Sequence, residues 1–143
     1  MAVALDHTFS MSGTADENFA KICNLELVIP CVEGGSVVEK TGDDAVKAEI
    51  VVRMGAMSMK FSGTVEITEK DEAAHRAFMT VKSREAGGQG HANATAEFTI
   101  SDNSGSLHTN AQITGKAASM GEGVVHGVLD ALINDFTGKL SKL

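Results

Sequence analysis

The 143-residue chain contains no tryptophan or tyrosine, a single proline and only two cysteines. The two cysteines, Cys23 and Cys31, are too few for the disulfide framework of a small secreted protein and fit a cytoplasmic chain with reduced thiols. No apolar run approaches the ~20 residues that cross a bilayer. The N-terminal residues also lack the basic and apolar regions of a secretory signal. These absences together predict a cytoplasmic protein.

Basic residues are scarce as well, because 12 Lys and Arg stand against 19 Asp and Glu, for a net charge of −7. A chain with this balance has little with which to neutralise phosphates, so nucleic acid is excluded as a partner. The length predicts one domain, residues 1–143, that is large enough to bury a hydrophobic core.

The stretch formed by residues 119–143 carries hydrophobic side chains at the period of an α-helix. Such a stripe predicts a long C-terminal helix with one face packed against a sheet. Ser119 followed by Glu122 has the form of a capping box, so we expect the helix to begin there. The stripe contains Val125, Leu129, Leu132, Phe136, Leu140 and Leu143, widened by Val128 and Ile133.

Two shorter helices are predicted near the N-terminus. Thr14 and Glu17 form a second capping box, which opens a helix that extends through Ile22. Asn24 caps another short helical turn, which must end before Pro30 because proline disfavours the helical conformation of the residue before it.

Alternating apolar and polar residues predict seven strands in the rest of the chain. Short turns join most of them, which favours antiparallel neighbours. The predicted fold is therefore α+β, a helix-grip fold in which a seven-stranded antiparallel sheet wraps around the long C-terminal helix, with two short helices after strand 1. The predicted strands cover residues 3–11, 36–41, 45–54, 57–68, 73–84, 92–100 and 107–115.

Small residues and methionines are frequent on the predicted inner face of the sheet. They either leave an apolar cavity under the helix or let helix and sheet pack closely, and the sequence leaves both open. His7 and Thr109 are the only clearly polar inward groups, too few to orient a polar substrate. The predicted cavity lining consists of Met54, Met59, Phe61, Ala77, Met79, Ala94, Ala96, Phe98, Ala111, Ile113, Val125, Leu129, Leu132, Ile133 and Phe136.

Glycines are concentrated at the start of the long helix, at Gly121, Gly123 and Gly127. Glycine lowers helix stability, so these residues could let the helix tilt to admit a ligand. The alternative is tight packing of this part of the helix on the sheet.

No arrangement of side chains in the sequence predicts catalysis. The five histidines are scattered, and none has the spacing of a metal ligand with Cys23 or Cys31. The glycine-rich residues 87–90 lack the Lys-Ser/Thr of a phosphate-binding loop and are interpreted as a turn. No nucleophile, base and orienting group occur together. The sequence predicts a binding protein without a catalytic site, metal or cofactor, and an enzyme such as a cyclase or hydrolase is the less favoured alternative.

Several short segments combine glycines with a particular strand register. They are Gly42-Asp43-Asp44, Arg53-Met54-Gly55, Phe61-Ser62-Gly63-Thr64-Val65, Gly87-Gly88-Gln89-Gly90, Ile113-Thr114-Gly115-Lys116 and Ile29-Pro30-Cys31. These segments resemble the CoxG family of carbon monoxide dehydrogenase proteins, and the resemblance extends over most of the chain. It depends on the positions of glycines and on strand register more than on catalytic residues.

The resemblance implies membership of the helix-grip superfamily of lipid and hydrophobic-ligand binders, also described as START/Bet v 1-like or SRPBCC. It also implies a role beside molybdenum-containing hydroxylases such as carbon monoxide dehydrogenase. The expected function is that of a carrier whose cargo is menaquinone or another isoprenoid quinone, with peripheral contact at the inner face of the cytoplasmic membrane. The alternative is an assembly or membrane-docking factor that binds no small molecule.

Overall fold

The computed structural model describes residues 1–88 and 90–143, so that Gln89 of the predicted glycine-rich turn lies outside the described residues. Seven strands and three α-helices are assigned in the described part of the chain, with one-turn 3-10 helices at Ile29–Cys31 and Ala118–Met120. These elements are β1 (Ala2–Ser10), α1 (Ala15–Ile22), α2 (Leu25–Val28), β2 (Gly35–Gly42), β3 (Ala45–Met54), β4 (Met57–Asp71), β5 (Arg76–Glu85), β6 (His91–Ser101), β7 (Ser104–Ile113) and α3 (Glu122–Leu140).

The strands form one antiparallel sheet in the order β1-β7-β6-β5-β4-β3-β2. Strands β2 to β7 follow one another as hairpins, and β1 closes the far edge by pairing with β7. Helix α3 packs chiefly against β1. This arrangement confirms the predicted helix-grip fold, including the two short helices after the first strand.

The beginning of α3 differs from the prediction. Ser119 does not cap the helix, because it lies in the 3-10 turn and its hydroxyl donates to the carbonyl oxygen of Lys116. Gly121, at φ +99°, separates that turn from the helix, which begins at Glu122 without a side-chain cap. The 19 residues of α3 extend over roughly 28 Å at 1.5 Å per residue. The helix is therefore shorter than the sequence predicted.

The predicted strands lie in the right places, but some of their ends differ from the prediction. Strand β5 begins at Arg76 and not at residue 73, because residues 72–75 form a turn in which His75 adopts φ +53°. Strand β4 extends to Asp71, and β7 covers Ser104–Ile113 in place of 107–115. The alternation correctly placed the inner and outer faces, since Val3, Leu5 and Met11 are buried as predicted.

Helix α1 begins with the predicted capping box. The Glu17 amide donates to the Thr14 hydroxyl, and the Thr14 amide donates to the Glu17 carboxylate, at 3.2 and 3.1 Å. These hydrogen bonds to Thr14 lower the pKa of Glu17. Asn24 caps α2 by accepting from the Leu27 amide, also as predicted.

A fully buried asparagine, Asn18, connects α1 to the sheet. Its amide nitrogen donates to the carbonyl oxygens of Gly13 and Ser101, and its amide oxygen accepts from the Gly13 amide. An Asn18→Ala substitution would leave these backbone groups without partners in a buried position. We expect it to lower the free energy of unfolding by about 2–3 kcal/mol. Urea denaturation measures this loss, and the exposed neighbour Ala20→Ser should change stability by less than about 0.5 kcal/mol.

Candidate ligand cavity

An apolar cavity of about 200 Å³ lies on the inner face of the sheet, over strands β3, β4 and β5. It is covered by Ile29 and Val32, which come from the irregular segment after α2. This segment can cover the sheet because α1 ends at Ile22, Asn24 caps the short α2, and Pro30 then stops that helix. The cavity is lined by Ile29, Val32, Gly35, Ala48, Glu49, Ile50, Phe61, Gly63, Thr64, Val65, Val81 and Ser83.

The walls of this cavity offer little to a polar ligand. The Ser83 hydroxyl donates a hydrogen bond to the carbonyl oxygen of Ala92 and is therefore already used. Glu49 and Thr64 belong to the outward-facing sets of β3 and β4, so it is their backbone that borders the space. Alkyl and aromatic side chains form the remainder. Such a lining favours a hydrocarbon ligand.

A larger, open groove of about 920 Å³ lies beside the cavity, between β3 and the first half of α3. Two pairs of consecutive residues, 34–35 and 50–51, each have one member on either space. The groove has polar as well as apolar walls, and Glu33 and Arg53 are among the residues that line it. It is lined by Glu33, Gly34, Val51, Val52, Arg53, Gly123, Val124, Gly127, Val128, Ala131 and Leu132.

Two of the three predicted helix glycines, Gly123 and Gly127, line this groove. A Cβ atom added at Gly121, Gly123 or Gly127 would meet nothing within 4 Å. The alternative that these glycines pack tightly on the sheet is therefore wrong. The other end of the helix is held in place, because Lys21 Nζ and the Ser12 hydroxyl donate to the Leu143 carbonyl oxygen at 2.9 and 3.3 Å. The first half of α3 is thus the end with room to move.

Of the fifteen predicted lining residues, all except Leu132 lie in or against one hydrophobic core cluster. Eleven of them are buried: Met54, Met59, Phe61, Ala77, Met79, Phe98, Ala111, Ile113, Val125, Ile133 and Phe136. Ala94, Ala96, Leu129 and Leu132 are partly exposed, although the sequence pattern places them on the inner side. Phe61 borders the cavity and Leu132 borders the groove. The prediction therefore located the inner face, whereas the space itself lies mainly beside other residues.

Several cavity residues were not predicted. Val65 and Val81 belong to the alternating inner sets of β4 and β5, so the strand pattern contained the signal for them. Ile29 and Val32 had no such signal, because they come from short irregular structure without a period. Their position depends on how the segment after α2 folds back over β3.

One predicted polar group, His7, is paired with the helix. Its Nε2 atom lies 2.9 Å from Oδ1 of Asp130 in α3, and its side chain is only 6% exposed. The other ring nitrogen, Nδ1, is buried and has no hydrogen-bond partner among the described residues. Asp130 is itself 45% exposed, and its second oxygen accepts from Asn134 Nδ2 at 3.3 Å.

The other candidate groups lie elsewhere. His108 pairs with Asp6 on the outer face of the sheet, at 2.6 Å, and His75 pairs with Asp16 of α1. In residues 1–88 and 90–143, no cluster of three or more His, Cys, Asp or Glu side chains could hold a metal ion. Burial raises the pKa of the Cys23 and Cys31 thiols, which makes them poor nucleophiles.

In the described part of the chain, none of the helices combines the length and apolar character needed to span a membrane. The family model for CoxG of carbon monoxide dehydrogenase matches residues 8–142. No curated protein matches the sequence.

Solved structures share the fold over nearly the whole chain. A conserved protein from Geobacillus kaustophilus has a TM-score of 0.81 at 24% identity, over 98% of this chain and 93% of that one. A START superfamily protein from Mycobacterium smegmatis has a TM-score of 0.62 at 11% identity, over 97% of both. The Zhui aromatase/cyclase from Streptomyces sp. R1128 has a TM-score of 0.55 at 15% identity, over 99% and 95%.

Proposed function

Because the chain belongs to the CoxG family of carbon monoxide dehydrogenase proteins, we propose that it is a non-enzymatic carrier of an isoprenoid quinone. In this proposal the protein takes menaquinone from the membrane and delivers it to a molybdenum-containing redox enzyme of the carbon monoxide dehydrogenase type. The observation that carries the proposal is the apolar cavity between sheet and Ile29–Val32, in a fold that encloses hydrophobic ligands.

The chemistry of the cavity agrees with a long-tailed quinone. Most of such a molecule is hydrocarbon, which gains about 25 cal/mol for each Å² that leaves water. Walls formed by Ile50, Phe61, Val65 and Val81 provide that environment. The two quinone oxygens need few hydrogen-bonding partners, so the scarcity of free polar groups favours a quinone over a polar substrate.

The sizes of the two spaces favour a ligand that occupies both. The cavity of about 200 Å³ is smaller than the roughly 300–1,000 Å³ of ordinary ligand pockets. A long ligand placed there must extend into the adjoining groove, where Val51 and Val124 are each 45% exposed. Gly123 and Gly127 leave that side of the groove wide, so a tail can enter between α3 and β3.

We expect the protein, purified without detergent from cells that make menaquinone, to carry it at close to one molecule per chain. Organic extraction followed by mass spectrometry measures this ratio, and native mass spectrometry measures the mass of the complex. An unrelated protein of similar size, purified in parallel, controls for quinone carried over from membrane fragments.

Quinone-free protein that also fails to take up added menaquinone would contradict the carrier proposal. If a partner enzyme nevertheless required this protein to attach to membranes, the docking-factor alternative would replace it. A bound lipid of another class would support the role of a carrier and would contradict menaquinone as its cargo.

A further inference from the structure

We infer that His7 and Thr109 form the site that holds the oxygen-bearing head of the ligand, and that this site favours the reduced, hydroxyl-bearing form. The inference rests on the proposed function and extends it to the position and redox state of the cargo. Its basis is the buried and unpartnered Nδ1 atom of His7, beside partly exposed small residues on the inner face.

Asp130 fixes the hydrogen-bonding role of His7. A carboxylate carries no hydrogen, so the hydrogen between Nε2 and Asp130 Oδ1 belongs to the ring. In the neutral imidazole the other nitrogen, Nδ1, is then an acceptor. A buried acceptor without a partner is costly, and a hydroxyl group of a ligand would satisfy it.

Strand register places a second polar group next to His7. His7 is opposite Leu107 on β7, and Thr109 lies two residues further along the same face. Such diagonal neighbours are within reach of a single ligand ring. Thr109 is opposite Ala96 on β6, and both residues are partly exposed although they face the interior.

Small side chains lie beside these two polar groups on the inner face of the sheet. Ala94 and Ala96 are partly exposed on the inner face of β6, and Leu129 of α3 is partly exposed on the facing helix. A flat ring lying on the two alanines would have Thr109 at one edge and His7 beyond it. The small residues that the sequence analysis singled out thus border the head site, and the larger apolar side chains border the tail site.

The distance between the two sites suits a long molecule. His7 lies on β1, and Phe61, which borders the cavity, lies on β4. These two strands are four strand spacings apart, or roughly 19 Å along the sheet. A ligand with a polar head and a hydrocarbon tail can occupy both sites at once. A short polar molecule or a simple hydrocarbon can occupy only one.

The two oxidation states of a quinone differ at this site. A hydroxyl of the reduced form can donate to His7 Nδ1, whereas a carbonyl of the oxidised form has no hydrogen to donate. Both forms can accept from the Thr109 hydroxyl. We therefore expect the reduced form to bind roughly tenfold more tightly, the effect of about one hydrogen bond to a buried acceptor.

The test measures the affinity of one short-chain menaquinone in its oxidised and its anaerobically reduced form, by isothermal titration calorimetry at about pH 8. Methylnaphthalene, which has the ring and no oxygen, is the matched apolar probe. The His7→Phe variant should bind both redox forms equally and methylnaphthalene as well as the wild type does.

The Asp130→Asn variant tests the role of Asp130 as a positioning residue without removing any ligand contact. Asn134 Nδ2 donates to one oxygen of Asp130 and would keep the amide oxygen of the new asparagine on that side. The NH₂ group of the asparagine would then face His7 and donate to Nε2. Nδ1 then becomes a donor, and because the oxygens of both redox forms can accept from it, the preference for the reduced form should disappear. Because Asp130 lies at the surface, thermal unfolding should confirm that this variant folds.

Equal binding of both redox forms by the wild type, or an unchanged preference in both variants, would overturn the inference. Those results leave the carrier proposal in place, because quinone still binds. Binding of neither form by the wild type would contradict the carrier proposal itself.

Discussion

Filling the apolar cavity under Ile29 and Val32 with an Ala48→Leu substitution is expected to weaken menaquinone binding by at least about a hundredfold, while the protein remains folded. Ala48 faces the interior from β3, borders the cavity and is only partly buried. The three added carbons would occupy space that the ligand tail needs, and a hundredfold loss corresponds to about 2.7 kcal/mol of binding free energy.

Calorimetric titration or native mass spectrometry measures this loss. Quenching of intrinsic fluorescence is unsuitable because the chain contains no tryptophan or tyrosine. Lys47→Leu is the matched control, since it adds leucine to the same strand on the solvent-facing side, where Lys47 is 58% exposed. If Ala48→Leu bound menaquinone normally, the ligand would have to lie elsewhere. If it unfolded at a temperature well below that of Lys47→Leu, the cavity would be too small for leucine and the site would be closed.

The second large effect concerns folding. A Gly63→Ala substitution is expected to lower the free energy of unfolding by at least about 3 kcal/mol. Its new Cβ atom would overlap the carbonyl oxygen of Lys82 and lie 2.7 Å from the Ser83 Cα atom, both on the backbone of β5. Backbone atoms in the centre of a sheet cannot move aside as the end of a flexible side chain can, so β4 and β5 must separate.

Urea denaturation with circular dichroism measures this loss, and Gly127→Ala is the matched control. A Cβ atom at Gly127 meets nothing within 4 Å, and alanine is the better helix former. That variant should gain up to about 1 kcal/mol. Equal stability of the two variants would mean that Gly63 does not depend on the close approach of β5.

Gly63 and Ala96 show that small residues on one sheet can have different surroundings. At Gly63 the small residue is needed because a neighbouring strand approaches closely, whereas Ala96 remains partly exposed on the inner face. The close approach at Gly63 is to β5 of the same sheet, and it differs from the packing of helix against sheet that the sequence left open as the alternative to a cavity. Sequence cannot separate such cases, because glycine and alanine are compatible with close contact and with empty space alike.

The helix termini show a similar division. Thr14 and Glu17 cap α1 as predicted because all atoms of a capping box belong to four consecutive residues. Ser119 and Glu122 have the same spacing but do not form a box, since the chain at Gly121 adopts φ +99° and joins a 3-10 turn to α3. The local pattern was the same in both segments, and the surrounding structure determined which of them formed the cap.

The sequence by itself determined the class of fold, the strand faces and the location of the hydrophobic core, because a strand exposes alternate residues and a helix every third or fourth. These periods depend only on local backbone geometry. The tertiary structure alone decided where space remains, over Ala48 and Val65 and along Gly123 and Gly127, and it alone paired His7 with Asp130, which are 123 residues apart. The size of a cavity depends on the distance between elements that are far apart in the chain, and no local sequence pattern determines that distance.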